Sequence, residues 1–302
     1  MPGVNRPEIT VLDVTPSMWG DELIASYLIT AGEGGRILVE TGPKGSVDRL
    51  LSQLDAMGVD SIDAIIVTHI HLDHAGAAGY LARKYNAKVY VHPRGAKHLA
   101  SPGRLWSASR QVLGEVAEVY GEPDPIPEEF LVPVGDGQRL SLGGATIRVV
   151  HTPGHASHHM SLLLEEHGIL FTGDSAGVSI VWEGHRIRIP TTPPPFRLEM
   201  YLSSIDKMLS LSPSRVAPTH YGFDPKPAVE YLVEHKRMVE RWVRELEAIV
   251  GTGITDPVEA ARALAERLEE AGLIAGFENP IVYRTFYLST VWGMLDYIIN
   301  KK

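Results

Sequence analysis

Thr68-His69-Ile70-His71-Leu72-Asp73-His74-Ala75-Gly76 sets three imidazoles and a carboxylate directly after the apolar run Ala64-Ile65-Ile66-Val67. Neutral imidazole and carboxylate are the ligands that borderline and hard divalent cations accept. In an extended segment residues 69, 71 and 73 point the same way, and a turn into a helix swings residue 74 to a neighbouring position. The string can then offer two imidazoles to one cation and a carboxylate with an imidazole to another. Four donors in one loop do not close two sites, so more must arrive from elsewhere. Three later stretches supply them: Val149-Val150-His151-Thr152-Pro153-Gly154-His155, Leu170-Phe171-Thr172-Gly173-Asp174-Ser175 and Val216-Ala217-Pro218-Thr219-His220-Tyr221-Gly222. Each puts a donor just past a short apolar run, beside a Gly or Pro that permits a tight turn.

Those donors need strands and helices to hold them. Segments 9–14, 23–30, 36–40, 62–68, 88–92, 145–151, 160–165, 169–172 and 215–218 are rich in Ile, Val and Leu and read as short strands. Turn signals such as Gly34-Gly35, Gly42-Pro43 and Gly143-Gly144 punctuate them. Helices are predicted over 46–57, 74–85, 105–119 and 197–211. In the first of these Val47, Leu50, Leu51 and Leu54 share a face. Strands mixed with helices in this way predict an α/β fold. The segment Pro190-Thr-Thr-Pro193-Pro194-Pro195 is stiff and cannot continue a strand interior. Beyond about residue 225 strand signals stop, and helical stripes run over 227–250, 257–271 and 281–299. Asp256, Pro257 and Glu259 read as N-cap, first helical residue and capping-box acid of the second. The expected division is 1–224 for the catalytic part and 225–302 for a helical region covering the active site.

Composition narrows the chemistry. The chain has 302 residues, 44% hydrophobic and 22% charged, which is a globular balance. It contains no cysteine, so thiolate ligands, disulfides and a cysteine nucleophile are excluded. No run of apolar residues is long enough for a membrane span. The first residues, MPGVNRPEITV, lack a basic stretch followed by an apolar core, so a cytoplasmic location is expected. The net charge of −9 disfavours nucleic acid as a partner and favours a small-molecule substrate. The apolar face of 281–299 closes either the core or a homodimer interface.

Taken together and in this order, the four motifs resemble the metallo-β-lactamase superfamily, and within it the glyoxalase II-like hydrolases, over roughly residues 9–222. The resemblance implies an αββα four-layer sandwich with the metals at one edge between the sheets, here with a C-terminal all-helical extension. It further implies that His69, His71 and His155 bind a first metal, that Asp73, His74 and His220 bind a second, and that Asp174 bridges them. In this pattern the histidine of Pro-Gly-His, His155, is the ligand, and His151 is not. His159 matches a second histidine with a supporting role. Zinc is the first choice of ion because imidazole dominates both sites; iron and manganese also accept these ligands.

Two cations sharing one water lower its pKa from about 15.7 toward 7 and so give hydroxide at neutral pH. The expected reaction is hydrolysis of an ester-like bond (lactone, carboxylic ester, thioester or phosphotriester) by such a metal-bridging hydroxide. Asp73 is expected to hold the proton of the water, and Tyr221, beside His220, to hydrogen-bond a substrate oxygen. Ser175 lies outside any Gly-x-Ser-x-Gly elbow, so an acyl-serine route is disfavoured. Glyoxalase II-type cleavage of a glutathione thioester is one alternative, although residues 176–196 carry Arg186 and Arg188 without a recognisable glutathione motif. A mononuclear iron persulfide dioxygenase with the same His-x-His start is the oxidoreductase alternative. Trp242, Phe286, Tyr287 and Trp292 are candidates for an apolar pocket wall, with core packing as the rival role.

Overall fold

The computed structural model describes residues 6–32, 34–268 and 279–301. Strands β1 (Glu8–Asp13), β2 (Ala25–Thr30), β3 (Arg36–Val39), β4 (Ala64–Ile66), β5 (Lys88–Val91) and β6 (Leu131–Pro133) form one sheet in that order. The first three pair antiparallel, and β3 through β6 pair parallel. A second sheet takes β7 (Arg139–Leu142), β8 (Ala145–His151), β9 (Met160–Leu164), β10 (Ile169–Gly173) and β13 (Arg215–Pro218), in the order β13-β10-β9-β8-β7. β11 (Val178–Trp182) and β12 (His185–Ile189) make a separate hairpin.

Strand alternation builds the layers. Tyr27, Ile29, Ile37, Val39, Ala64 and Ile66 of the first sheet share one buried cluster with Ile147, Val149, Leu162, Leu164, Phe171 and Ala217 of the second. Successive side chains in a strand point to opposite faces. The intervening Leu28, Leu38, Ile65, Leu163, Leu170 and Val216 accordingly join a different cluster, together with residues of the helices. That cluster takes in Leu50 and Leu54 of α1 (Val47–Ala56) and Leu81 of α3 (Ala78–Tyr85). It also takes in Ile205 and Met208 of α7 (Leu198–Ser210) and Leu232 and Val239 of α8 (Ala228–Gly251). The result is the expected helix–sheet–sheet–helix sandwich.

The C-terminal portion is helical among the described residues. α8 and α9 (Pro257–Leu268) pack with a π-helical stretch, Val282–Leu288, that runs into α10 (Ser289–Ile299). Asp256 caps α9: its Oδ1 accepts from the Val258 and Glu259 backbone N–H groups at 2.9 and 3.0 Å. The helix predicted over 257–271 is described as far as Leu268, and residues 269–271 lie outside the described residues. Val291, Met294 and Leu295 are buried in the core, whereas Trp292 is 46% exposed.

Two predicted helices are broken. The one over 105–119 divides into α5 (Gly103–Leu113) and α6 (Glu115–Tyr120) at Gly114, whose φ of +57° ends the first. The one over 74–85 starts earlier, as the short α2 (Leu72–Ala75), and resumes as α3. Helix α4 (Pro93–Ala100), strands β6 and β7 and the hairpin β11–β12 lie outside the expected elements. The missed strands are short or carry charge on alternate positions, as in His185-Arg186-Ile187-Arg188-Ile189, so their apolar signal is weak. Among the described residues no helix is long and apolar enough to cross a membrane.

Candidate metal centre

The donors follow the ends of adjacent strands. Glu40 follows β3 and the His69–His74 loop follows β4, its parallel neighbour; Asp174 follows β10 and His220 follows β13, again parallel neighbours. Backbone bonds tie the two sheets together at this edge. Met160 N donates to Thr68 O and Ala25 N to Thr219 O, each at 2.8 Å. His71 is extended (φ −62°, ψ 155°) and caps α2, so the loop turns into a helix between His71 and His74, as the ligand spacing requires.

All seven predicted ligands converge here. His69, His71 and His155 form one group, Asp73, His74 and His220 another, and Asp174 forms a third with His69 and His74; within each, the donor atoms lie within 4.8 Å of one another. His71 Nδ1 stands 2.9 Å from His69 Nε2 and 3.0 Å from His155 Nε2. Nitrogens bound about 2.0–2.1 Å from a tetrahedral zinc would be roughly 3.3 Å apart, so the trio is close to coordinating geometry. Asp174 leans both ways, with Oδ2 3.6 Å from His155 Nε2 and Oδ1 3.4 Å from His74 Nε2 and 3.6 Å from His220 Nε2. Asp73 Oδ2 is 3.5 Å from His220 Nε2.

Hydrogen-bond accounting supports a cation here. His74 Nε2, His220 Nε2 and Asp174 Oδ1 are buried without a hydrogen-bond partner, and the three atoms face one another. Such orphaned groups are costly unless an ion satisfies them. The outer ring nitrogens are engaged instead: His220 Nδ1 lies 2.7 Å from Leu23 O, His155 Nδ1 3.1 Å from Thr191 O, and His74 Nδ1 3.1 Å from Glu40 Oε1. A ring that donates its outer N–H to an oxygen presents its inner lone pair to a metal.

The electrostatics agree. Burial lowers His69 and His155 well below the ordinary histidine value, and lowers His71 to about 4, so all three are neutral ligands near pH 7. Burial also opposes charge on His74, but Asp174, Asp73 and Glu40 outweigh it and hold the group up to about 10. The carboxylates around His74 thus call for a positive charge, which a bound cation would supply. Asp73 stays ionised: burial raises it, while His74 and His220 more than compensate. The residues present therefore fit bound metal cations.

Several neighbours position the ligands. Glu40, fully buried at a φ of +63°, accepts from Thr68 Oγ1 and, at 3.2 Å, from Thr219 Oγ1, besides facing His74. His159 accepts from Asp174 N at 3.0 Å, and its Nδ1 lies 2.9 Å from Thr152 Oγ1 and 2.8 Å from Ser175 Oγ. Both its nitrogens are therefore used in support of the ligands. Ser175 Oγ donates to Thr152 O at 2.8 Å, which occupies the proton a nucleophile would lose. Gly173 adopts a φ of +50°; a Cβ there would lie 2.5 Å from His159 Nε2 and 2.6 Å from Thr68 Oγ1. Only glycine lets β10 deliver Asp174 so close. His151 stands apart, its Nε2 3.0 Å from Val134 O and its ring tilted against that of His92, centroids 4.1 Å apart.

Glu40 and Tyr120 are not among the residues expected from the sequence. Tyr120, at the end of α6, is buried and brings Oη within 3.5 Å of Asp73 Oδ2. Tyr221, beside His220, is not among the residues lining the cavity, and the charges that act on it are Asp13, Glu22, Arg49 and Asp21. Of the four candidate wall aromatics only Phe286 lines the cavity; Trp242 and Tyr287 are core and Trp292 is an exposed helix residue.

Above the donors lies a cavity of about 500 Å³. His71, Asp73, His155 and Asp174 are at its floor, α5 and the strap Thr191–Arg197 form walls, and Thr285, Phe286, Ser289 and Thr290 close it from the C-terminal helices. The sequence pattern of the metallo-β-lactamase superfamily matches residues 19–220, the stretch that carries every ligand position. The chain belongs to the metallo-β-lactamase superfamily. Among its members, a metallo-β-lactamase fold-containing protein of Sulfurisphaera tokodaii is 33% identical over 233 residues, 76% of this chain and 84% of that one. An atrochrysone carboxyl ACP thioesterase of Aspergillus fumigatus is 28% identical over 238 residues, 78% of this chain and 63% of that one. The solved structure of a metallo-β-lactamase family protein from Thermus thermophilus superposes with a TM-score of 0.70 at 23% identity, over 97% of this chain and 93% of that one. That last likeness extends the shared fold to the C-terminal helices.

Proposed function

We propose that this superfamily member is a metal-dependent hydrolase that cleaves carboxylic ester or thioester bonds in substrates with an apolar acyl portion. The observation that carries the reading is the convergence of seven donors, three with orphaned buried atoms, beneath an apolar-walled cavity whose floor four of them line. His69, His71 and His155 would hold one ion, Asp73, His74 and His220 the other, with Asp174 between them. When bound, such a pair polarises the scissile carbonyl and supplies a water of lowered pKa as nucleophile. Zinc suits the imidazole-rich donor set. The ionised Asp73, steadied by Tyr120 Oη, orients the proton of the attacking water. The walls exclude bulk water and hold the acyl chain against the floor. The thioesterase among the relatives supports ester-type carbonyl chemistry. The intact second donor group favours two ions over a mononuclear iron centre.

The test is a panel of carboxylic esters, lactones, thioesters and a phosphotriester, run on protein reconstituted with zinc, iron or manganese. Turnover of acyl esters or thioesters is expected, lost on chelation and reduced at least a hundredfold, about the 10²–10³ that one electrostatic contact contributes, in His71→Ala and Asp174→Ala. Activity that survives complete chelation, or persists in those folded variants, contradicts the reading.

A further inference from the structure

The cavity is chemically lopsided. Leu105, Val112 and Leu113 of α5, Met200 of α7 and Phe286 give it apolar walls. Val112 and Met200 are left 61% and 46% exposed, so they form an apolar rim that the fold itself does not cover. The carboxylates lining it, Asp73 and Asp174, are both committed to the donor cluster at the floor. Arg197 is the lone lysine or arginine side chain in the lining, at the end of the strap and exposed. Its Nη1 donates to Phe196 O at 3.0 Å, and no described acid stands within ion-pair distance. Glu199, two residues on, feels its charge but is hydrogen-bonded by Tyr297 Oη at 2.6 Å. In a chain of net charge −9, a guanidinium held in no ion pair among the described residues, beside an apolar cavity, is available to a ligand.

Resting on the hydrolase reading above, we infer that Arg197 anchors an anionic group on the leaving portion of the substrate. The acyl chain occupies the apolar walls, the scissile carbonyl lies over the donor cluster, and the leaving portion exits past Arg197. The substrate class is then an acyl ester or thioester whose leaving alcohol or thiol carries a carboxylate or a phosphate. Arginine suits either group, because its planar fork donates two parallel hydrogen bonds. Arg197 acts on binding and takes no part in bond cleavage, so its effect belongs in KM.

Three octanoyl thioesters separate the possibilities: those of mercaptopropionate, of mercaptopropyl phosphate and of mercaptopropanol. All share one acyl chain and one type of thiolate leaving group, and differ in the charge at its far end. With the metal-reconstituted protein, KM for at least one charged substrate is expected to be about tenfold below that of the neutral one, at similar kcat. Which of the two charged substrates gains more tells carboxylate from phosphate. Arg197→Gln should bring the KM ratio of charged to neutral substrate toward one, and Arg197→Lys should restore part of it. Equal KM values for all three, or a charge preference that survives Arg197→Gln, overturn the anchor while leaving the hydrolase reading intact. No turnover of any of the three, or of the wider ester panel, overturns the hydrolase reading and the anchor with it.

Discussion

Glu40 shows how a residue outside the donor set governs it. Its carboxylate faces His74 Nδ1 and takes hydrogen bonds from Thr68 and Thr219, so it fixes the orientation of His74 and draws together the ends of three strands. Glu40→Gln keeps the shape and removes the charge. We expect it to weaken metal binding at the Asp73–His74–His220 group by about 10–100-fold while the His69–His71–His155 group keeps its affinity. Competition with a chelator of known affinity reads the two constants separately. Equal constants in variant and parent would show that Glu40 only fills space. The stretches that carry the ligands were legible in the sequence because each sets a His or Asp past a short apolar run, while the family pattern chose His155 over His151. Glu40 was not, since a lone Glu in Val39-Glu40-Thr41-Gly42 has no partner within reach along the chain; its partners lie 28 and more residues away. Tyr221 illustrates the converse. Adjacency to His220 said nothing about direction, because both residues lie in the turn that follows β13.

At the scale of elements, the C-terminal helix and the strap act as one wall. Thr192 Oγ1 donates to Thr290 O at 3.2 Å, and Thr290 Oγ1 donates to Pro190 O. A Cβ on Gly293 would fall 1.7 Å from Thr192 O, so the helix seats against the strap through this glycine. Gly293→Ala is expected to push them apart, at a cost of about 1–3 kcal/mol in stability, and to raise KM more than it lowers kcat. Unchanged unfolding and kinetics would place the wall elsewhere. Helix α8 carries a separate prediction. Burial lowers His235, which faces Tyr201 Oη at 2.9 Å, from the ordinary 6.5 to about 3. Between those values the unfolded chain takes up a proton that the native chain refuses. The stability this histidine contributes is complete above pH 6.5 and declines by about 1.4 kcal/mol per pH unit on acidification toward pH 3. Denaturant unfolding between about pH 4 and 7 should show a shallower acid decline in His235→Gln, whose amide can still pair with Tyr201 but does not titrate. An unchanged decline would assign the acid sensitivity to other groups. The long, periodic helices were legible from their apolar stripes. The breaks were not: a lone glycine is tolerated inside a helical stripe, and only the φ of +57° at Gly114 shows that residues 105–119 do not run straight.

At the scale of the molecule, two sheets bring strand ends that lie far apart in the sequence to one rim. Runs of Val, Ile and Leu were enough to place most of the strands, and the two-sheet sandwich they form was anticipated from the family resemblance. The cavity above the rim was not legible. It is assembled from α5, the strap and the last helices, three segments whose apolar residues read equally well as core. The proposed hydrolase function depends on this assembled rim holding two metal ions. Elemental analysis of reconstituted protein, paired with thioester hydrolysis on the same samples, tests that most directly. Two ions per chain are expected in the parent and about one in His220→Ala, with turnover that falls as occupancy falls. Binding of no metal by the folded parent, or full turnover in samples stripped of metal, would contradict it.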